Sequence, residues 1–398
     1  MTILLPINRV IAAPARMFLD METRGGLNVA VSYVLVLDGP LSPGEVHAAV
    51  AELKAVSPRL SQRIVRDASG HEQWAPTDAE GQLDFVELPS GSGPADVLER
   101  CSELQERVFP LDRQLWHVVY YSGLSGGRSA LLVRLHHAVG NGEEALSMLA
   151  SAFGVDGERK IWIDVPQHDS TSASASQQAP DDSAAGDLAP AQLNSRHQQV
   201  SVLDFGTRQA WEAVAARCGA TLDVLSVSLL ASAMLRYWER TGISRDAVMI
   251  TLPATSEWLV QNSNGALNTH VATLRVTADW VGPDRLAPLS ALLAFELVAS
   301  EQRALEAWQS GAALPGPAMS ELLLTPFVTM PDLVVRGRRV VDYSAFAPVT
   351  GTHVVASPID YDGRVRMCVN LDTALVSAQE FEACLREAWV SVLDATGE

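Results

Sequence analysis

The stretch RSALLVRLHHAVGNGEEALSMLA, residues 128–150, carries a strand signal, a turn signal and a helix signal in that order. Side chains alternate between the two faces of a strand, so counting along the first part places His137 on the more apolar face and His136 on the other. The letters GNG then predict a turn. Asn141 is a good helix N-cap, and Glu144 three residues later completes a capping box. The stretch therefore predicts a strand that ends at a histidine pair and leads directly into a helix.

The histidine pair is the candidate centre of chemistry in this chain. A histidine at a strand end, facing the amino end of a helix, favours its neutral form because burial and the positive helix terminus both disfavour the imidazolium. A neutral imidazole can accept a proton near pH 7, as a general base does. From the residues alone, a structural histidine pair and a metal site stay open as alternatives, although the sequence offers no third ligand nearby.

Strand and helix signals are interspersed along the rest of the chain. Leu27–Leu37 is an apolar, β-branched run, which predicts a strand buried on both faces. An Asp-Gly pair at 362–363 predicts a tight hairpin turn. Capping boxes predict helices that begin after Ser42 and after Ser377. Thr221–Trp238 is apolar almost all round, as in a core helix. These signals predict a mixed α/β fold with mixed sheets.

One segment breaks this pattern and suggests where the chain divides. Residues 164–199 are rich in Ser, Ala, Gln, Pro and Asp and almost lack large apolar residues. Such a composition cannot form a core. We therefore expect an N-terminal subdomain over residues 1–162, a flexible linker over residues 163–200 and a C-terminal subdomain over residues 201–398, each subdomain within the usual size range.

Composition excludes several classes of function. The chain has 398 residues, of which 47% are hydrophobic, and 29 Lys and Arg against 47 Asp and Glu give a formal net charge of −18. This charge repels nucleic acid and anionic membranes. The four cysteines are far apart, with no spacing that suits zinc, so no metal is expected. The N-terminus lacks the basic start of a signal peptide, and no apolar stretch reaches roughly 18 residues, so we expect a cytoplasmic protein with no membrane span.

The segment HHAVGNG, residues 136–142, resembles the HHxxxDG motif of the acyltransferase superfamily that includes chloramphenicol acetyltransferase, condensation domains and polyketide-associated acyltransferases. Other segments are similar to its bacterial wax ester synthase/diacylglycerol acyltransferase branch. These are PARMFL at 14–19, Leu115-Trp116, the glycines before residue 128, Gly219-Ala220-Thr221 with the helix that follows, and the hairpin at Gly363. The resemblance covers nearly the whole chain outside the linker.

This resemblance implies a fold and a mechanism. The family fold is a pseudo-dimer of two chloramphenicol acetyltransferase-like subdomains with a central tunnel. By the same resemblance, His137 would be the general base that takes a proton from an alcohol or amine as it attacks a thioester. His136, Asn141 and Gly142 would support the motif, the glycine by letting backbone pass close to the reacting carbonyl. Asn141 stands where the motif has an Asp that pairs with an Arg in the family.

Two later segments also differ from the family pattern. Asp223-Val224 stands where an Asn-Asp pair is expected, and Thr329-Met330-Pro331-Asp332-Leu333 stands where an Asn-Val-Pro-Gly-Pro segment is expected. These departures and Asn141 keep a non-catalytic binding protein open as an alternative.

Four further residues are candidates outside the motif. His270 could reach the tunnel from the second half, although a lone histidine on a strand is more often structural. Arg336, Arg338 and Arg339 form the densest basic cluster and could contact the phosphates of coenzyme A or of an acidic carrier protein. A charged strand edge that blocks unwanted pairing explains the same cluster equally well.

The leading hypothesis is an acyltransferase that moves an acyl group from a thioester to a hydroxyl of a lipid or specialised metabolite. Acyl-CoA is the first candidate for this thioester donor. No cofactor is expected, because the acyl-CoA or acyl carrier thioester is a co-substrate. The alternative within the same fold is a condensation-type enzyme that takes its donor from an acyl or peptidyl carrier protein and forms an ester or an amide. No Gly-x-Ser-x-Gly motif or reactive cysteine pattern indicates a covalent acyl-enzyme.

Overall fold

The structure is a computed structural model that describes residue 11 and residues 13–66, 68, 72–155, 162–163, 197–263, 269–310 and 320–397. The chain divides into two compact units. Unit 1 comprises Met1–Ile161 and Met330–Pro348, and unit 2 comprises Trp162–Thr329 and Val349–Glu398. Most of the predicted linker, from residue 164 to residue 196, lies outside the described residues, and so do residues 1–10 and 12 of the N-terminus.

Helices and strands alternate along the described chain, in agreement with the mixed α/β class predicted from the sequence. The helices are α1 (Ala13–Gly25), α2 (Pro43–Val56), α3 (Pro94–Gln105), α4 (Gly142–Phe153), α5 (Arg208–Arg217), α6 (Leu222–Thr241), α7 (Glu257–Asn262), α8 (Leu286–Ser310) and α9 (Ala378–Thr396). The strands are β1 (Ala30–Leu37), β2 (Gln62–Arg66), β3 (Glu72–Pro76), β4 (Gln82–Glu87), β5 (Trp116–Leu124), β6 (Arg128–His136), β7 (Trp162–Ile163), β8 (Gln198–Thr207), β9 (Ala247–Thr255), β10 (Thr269–Thr277), β11 (Leu322–Leu324), β12 (Val328–Thr329), β13 (Val334–Val335), β14 (Arg338–Phe346), β15 (Val354–Tyr361) and β16 (Arg364–Asp372).

Unit 1 is built on a sheet with the strand order β13-β14-β1-β6-β5-β4. The strand predicted from the Leu27–Leu37 run is β1, which begins three residues later, at Ala30, and is buried along its whole length. It lies between β6 and β14 and pairs antiparallel with both, so that Ala30 is opposite His136. This register places the end of β6, and with it the histidine pair, beside the start of β1.

Unit 1 also contains a strand from much later in the chain. The predicted boundaries assign all of residues 201–398 to the second half, whereas Met330–Pro348 belongs to unit 1 and contributes β13 and β14 to its sheet. The segment enters next to the end of α4, where Gly154 forms a bridge with Leu333. Sequence composition could not reveal this exchange, because nothing in the sequence of β14, RRVVDYSAF, distinguishes it from a strand that stays in its own half.

Unit 2 has a larger mixed sheet. Strand β15 is central: β11 and β12 pair with successive stretches along one side of it, and β16 pairs antiparallel along the other. Strand β16 also pairs with β8, while β9 and β10 extend the sheet beyond β11. The predicted hairpin between β15 and β16 is present, and Asp362 and Gly363 have positive φ angles of 53° and 69°, as such a tight turn requires.

The helices of unit 2 cover this sheet. The predicted core helix is α6, which is capped by the Thr221 side chain and buries most of its residues. Helix α9 begins after Ser377, as its capping signal predicts, and packs beside α6 in the same apolar cluster. The side chains of Thr221 and Ser377 thus cap α6 and α9, and these N-caps determine where the two helices begin.

Within the part of the chain that the structure describes, no single helix is both long and apolar enough to cross a membrane. Helices α5 and α6 reach the required length and composition only when taken together, and they are bent by 89° at the break between them.

Candidate active site

Strand β6 and helix α4 position the histidine pair as the sequence predicts. The strand ends at His136, the chain turns, and α4 begins at Gly142. The Asn141 side chain accepts a hydrogen bond from the Glu144 N–H at 2.8 Å, and the Glu144 carboxylate accepts one from the Asn141 N–H at 2.8 Å. Both halves of the predicted capping box are therefore present, and they hold the turn that carries His137.

His136 is buried and has a partner on each ring nitrogen. Its Nδ1 accepts a hydrogen bond from the Ala138 N–H at 2.9 Å, so Nε2 carries the proton and donates to Glu22 at 3.0 Å. The other carboxylate oxygen of Glu22 accepts from the Phe109 N–H at 3.1 Å. The ring of His136 is thus fixed in orientation and tautomer, which agrees with the supporting role that the resemblance implies.

His137 has very different surroundings. Its backbone N–H donates to the Val29 carbonyl at 3.2 Å, and its ring stacks on the ring of Phe18 with 3.7 Å between centroids and 12° between planes. Nδ1 is buried and has no hydrogen-bond partner among the described residues, although the residue as a whole keeps part of its surface exposed. His137 therefore lacks the two hydrogen-bond partners that hold His136, and its partly exposed side chain is available to a substrate.

Burial lowers the pKa of His137 to about 4. The nearby backbone carbonyl of His137 acts in the opposite direction and raises the pKa, a positive charge on His136 would lower it, and the backbone carbonyl of Gly140 raises it. Desolvation dominates because the imidazolium loses more hydration than the neutral ring does. His137 is therefore neutral and able to accept a proton over the whole range around pH 7.

The two glycines of the turn differ in the space around them. A Cβ on Gly140 would lie 3.0 Å from the Cβ of Glu144 and 3.1 Å from the methyl of Met148. A Cβ on Gly142 would meet no atom within 4 Å, and its φ angle is ordinary. Packing within unit 1 therefore explains Gly140, but it does not explain Gly142, for which the resemblance implies room for a substrate.

Arg16, two residues before Phe18 in the PARMFL segment, forms no hydrogen bond with Asn141. Its guanidinium instead pairs with Glu72, at 3.4 Å from the carboxylate and 3.3 Å from the backbone carbonyl. The structure thus gives Asn141 a capping function that needs no negative charge.

The basic cluster lies in unit 1, around the turn between β13 and β14. Arg336 has a positive φ of 52° in this turn and forms an ion pair with Glu52. Arg338 donates to the Pro40 carbonyl at 3.0 Å, and the Arg339 backbone N–H donates to Asp38 at 3.0 Å. These contacts tie the turn to α2 and to the end of β1. A phosphate contact by any of the three arginines stays a prediction.

His270 lies in unit 2, on β10. Its Nδ1 donates to the Ser300 hydroxyl at 2.7 Å, and that hydroxyl donates in turn to the Leu297 carbonyl. Burial lowers the pKa of His270 to about 4, and the charge of Arg303 contributes in the same direction. This hydrogen bond joins β10 to α8, which fits the structural interpretation of a lone strand histidine.

Neither cysteines nor metal ligands form a second candidate centre in the described residues. All four cysteines are free, and burial raises the pKa of Cys101 to about 12. No group of three or more His, Cys, Asp or Glu side chains lies close enough together to hold a metal ion in the described ranges.

Sequence reasoning missed two residues that contact the histidine pair. Phe18 and Glu22 both lie on α1, four residues apart and hence on one helix face. The PARMFL segment enters the sequence analysis only through the family resemblance. The i,i+4 spacing of an aromatic and an acidic residue was visible, but nothing in the sequence indicated what this face of α1 contacts.

Comparison with known sequences gives one family. Residues 12–278 match the family described as "Wax ester synthase/diacylglycerol acyltransferase catalytic domain". The Mycobacterium bovis protein "Putative diacyglycerol O-acyltransferase Mb0919" is 32% identical over 110 residues, which cover 26% of this chain and 22% of that protein. "Probable diacyglycerol O-acyltransferase tgs2" of Mycobacterium tuberculosis is 32% identical over 79 residues, 19% of this chain and 17% of that protein. The matches span about a fifth of the length of these relatives.

Comparison with solved structures shows the fold. The wax ester synthase/diacylglycerol acyltransferase from Marinobacter aquaeolei VT8 matches with a TM-score of 0.66 at 14% identity, over 98% of this chain and 100% of that chain. The first condensation domain of the CDA synthetase matches with a TM-score of 0.65 at 15% identity, over 99% and 97%. The starter condensation domain of rhizomide synthetase RzmA, solved in complex with C8-CoA, matches with a TM-score of 0.60 at 13% identity, over 98% and 95%. The fold class predicted from the sequence is confirmed.

Proposed function

Because this chain belongs to the wax ester synthase/diacylglycerol acyltransferase family, we propose that it is an acyltransferase that transfers an acyl group from a thioester to a hydroxyl, with His137 as general base. One observation carries this assignment. His137, the second histidine of the motif, is held neutral by burial, its ring is stacked on Phe18, and its side chain stays partly exposed.

The proposed reaction needs one base and no covalent acyl-enzyme. With Nδ1 buried, Nε2 of His137 accepts the proton of the acceptor hydroxyl as its oxygen attacks the thioester carbonyl carbon. The tetrahedral intermediate then collapses, the carbon–sulfur bond breaks, and the leaving thiolate takes the proton from the imidazolium. Base catalysis of this kind contributes about 10²–10⁴-fold, and holding donor and acceptor together adds to it.

Acyl-CoA is the proposed donor. A structural neighbour of this chain was solved with C8-CoA bound, and Gly142 leaves open space at the start of α4, beside the motif. Arg336, Arg338 and Arg339 are the proposed contacts for the negative phosphates of the donor, since guanidinium groups bind phosphate well. The proposed acceptor is the hydroxyl of a lipid or of a specialised metabolite, in line with the diacylglycerol O-acyltransferase names of the curated relatives.

A carrier-dependent condensation activity is the second candidate. Condensation domains match this chain with TM-scores close to that of the wax ester synthase/diacylglycerol acyltransferase structure. In such a reaction an acidic carrier protein would present the thioester and an amine could replace the alcohol. His137 would have the same role, because an amine that attacks a thioester must also lose a proton.

The test is thiol release from short, medium and long acyl-CoAs with mixed alcohol and amine acceptors. We expect release that depends on the acceptor, and a fall in kcat of about 10²–10⁴-fold in His137→Ala. The matched control is His47→Ala, which removes an exposed histidine of the same unit, on α2, away from the motif. Full activity of a folded His137→Ala protein would exclude this residue as the base.

The same assay separates the alternatives. If folded wild-type protein releases no thiol from any acyl-CoA, the assay is repeated with acyl groups loaded on a carrier protein. Transfer from the carrier would then support the condensation reaction. Failure with both donors would support a non-catalytic binding protein.

A further inference from the structure

We propose that Phe18 and Glu22 on helix α1 are positioning residues that hold the motif histidines in their reactive arrangement. The inference rests on the proposed function, in which His137 is the base. It assigns a role to one face of α1: Glu22 holds His136, and Phe18 holds His137. Neither side chain needs to touch the substrate.

The geometry of the strand end explains how one helix reaches both histidines. Successive side chains of a strand point to opposite faces, so two adjacent histidines inside a strand could not both contact the same helix face. Here the strand stops at His136, and His137 already belongs to the turn. Phe18 and Glu22 lie one turn apart on α1, which matches them to the two neighbouring rings.

Glu22 acts through a chain of hydrogen bonds. The carboxylate accepts from the His136 ring and from the Phe109 backbone, and the other nitrogen of His136 accepts from the Ala138 N–H. The residue after His137 is therefore tied to α1 through the His136 ring. On the other side, the His137 N–H is bonded to Val29 of the chain leading into β1. The backbone of His137 is fixed on both sides.

Phe18 acts on the ring itself. A centroid separation of 3.7 Å with nearly parallel planes covers one face of the imidazole and excludes water from it. Among the described residues, the ionisable neighbour of the ring is His136 of β6, and Glu22 of α1 lies behind His136. The nearby backbone groups are the carbonyls of the turn. Removing the Phe18 ring would therefore change mainly the hydration and the orientation of His137.

The experiment measures His137 directly and then its function. Imidazole NMR signals are titrated in the substrate-free full chain of the wild type, Phe18→Ala, Phe18→Tyr, Glu22→Gln and the control Thr23→Ala. Thr23 is exposed on the same helix, and its hydroxyl donates to the Leu19 carbonyl within that helix. The His137 signal is identified by its loss in His137→Ala.

We expect wild type, Phe18→Tyr and Thr23→Ala to show the same depressed titration of His137. In Phe18→Ala, water reaches the ring, so the midpoint rises by one pH unit or more toward the ordinary value of about 6.5. The midpoint of the acid limb of the pH–rate profile should move to higher pH by the same amount. The Glu22 carboxylate accepts hydrogen bonds from the His136 ring and from the Phe109 N–H. In Glu22→Gln, one of its oxygens becomes an NH₂ group, which cannot accept, so the His136 ring is no longer held. We expect kcat to fall up to about 100-fold in Phe18→Ala and Glu22→Gln, with little change in KM, since a displacement of about 1 Å can cost that much.

An unchanged His137 titration together with an unchanged kcat in Phe18→Ala would overturn the proposal for Phe18, and an unchanged kcat in Glu22→Gln would overturn it for Glu22. If Phe18→Ala does not fold, Phe18→Val is judged by the same criteria. The NMR titration needs no turnover, so it tests positioning even if His137→Ala turns out to be fully active. A fully active His137→Ala protein would instead contradict the proposed function, in which His137 is the base.

Discussion

At the scale of single residues, the two glycines of the turn, Gly140 and Gly142, have different reasons for being glycine. They are two positions apart in the motif, yet an added Cβ would be crowded at Gly140 and unobstructed at Gly142. The first glycine is needed for the turn to pack against α4. Packing within unit 1 gives no reason for a glycine at position 142. The reason that we propose is room for the substrate.

We predict that Gly142→Ala keeps the stability of the wild type and lowers kcat/KM by up to about 100-fold, because its methyl group would displace the reacting thioester. Gly140→Ala should instead lower the free energy of unfolding by about 1–3 kcal/mol, as expected for overpacking. Urea unfolding and initial rates on both variants check this. A fully active Gly142→Ala protein would contradict the role assigned to that glycine.

At the scale of elements, the start of α4 shows what Asn141 contributes. Its side chain caps the helix and its backbone completes the capping box, and neither interaction requires a carboxylate. The departure from the family's Asp is therefore compatible with an intact turn.

We predict that Asn141→Asp changes the free energy of unfolding by no more than about 0.5 kcal/mol and keeps activity close to that of the wild type. Asn141→Ala loses the cap and should cost about 1 kcal/mol. Chemical denaturation and the thiol-release assay measure both effects. A strong gain of activity in Asn141→Asp would mean that the missing charge limits catalysis, contrary to the capping interpretation.

The elements also show which parts of the site the sequence could predict. The end of β6, the turn and the start of α4 are contiguous, so alternation and capping residues were sufficient to predict them. The contacts of Phe18 and Glu22 with the histidines join residues more than a hundred positions apart. Local patterns contain no information on such pairs, and the low pKa of His137 depends on the burial that they and their neighbours create.

At the scale of the whole molecule, the two units are not consecutive in sequence. Strand β14 completes the sheet of unit 1 beside β1, and its Tyr343 stacks with Tyr33 at 6.5 Å between ring centroids. A division at the linker predicted from composition would remove this strand from the unit that holds His137. The partner of a strand edge could not be predicted from the sequence, because it depends on long-range pairing.

We predict that residues 1–155 alone do not unfold cooperatively, since β1 would lose its neighbour from Ser32 to Leu37. Joining residue 155 to residues 330–348 through a short Gly/Ser linker should restore cooperative unfolding. The geometry permits this fusion because the Val155 N–H already donates to the Asp332 carbonyl at 3.1 Å. Circular dichroism and urea unfolding of the two fragments provide the test, and equal stability of both would show that β14 is dispensable for unit 1.

The late position of β14 has a consequence for the nascent chain. At about 5–20 residues per second, a ribosome needs roughly 10–40 s after it has made α4 before β14 has been synthesised. Throughout that time β1 has an open edge that can pair with a strand of another chain. Translation that stops early, anywhere in the second half before β14, would leave this edge open permanently. Prematurely terminated products should therefore aggregate through β1 rather than persist as a smaller working enzyme.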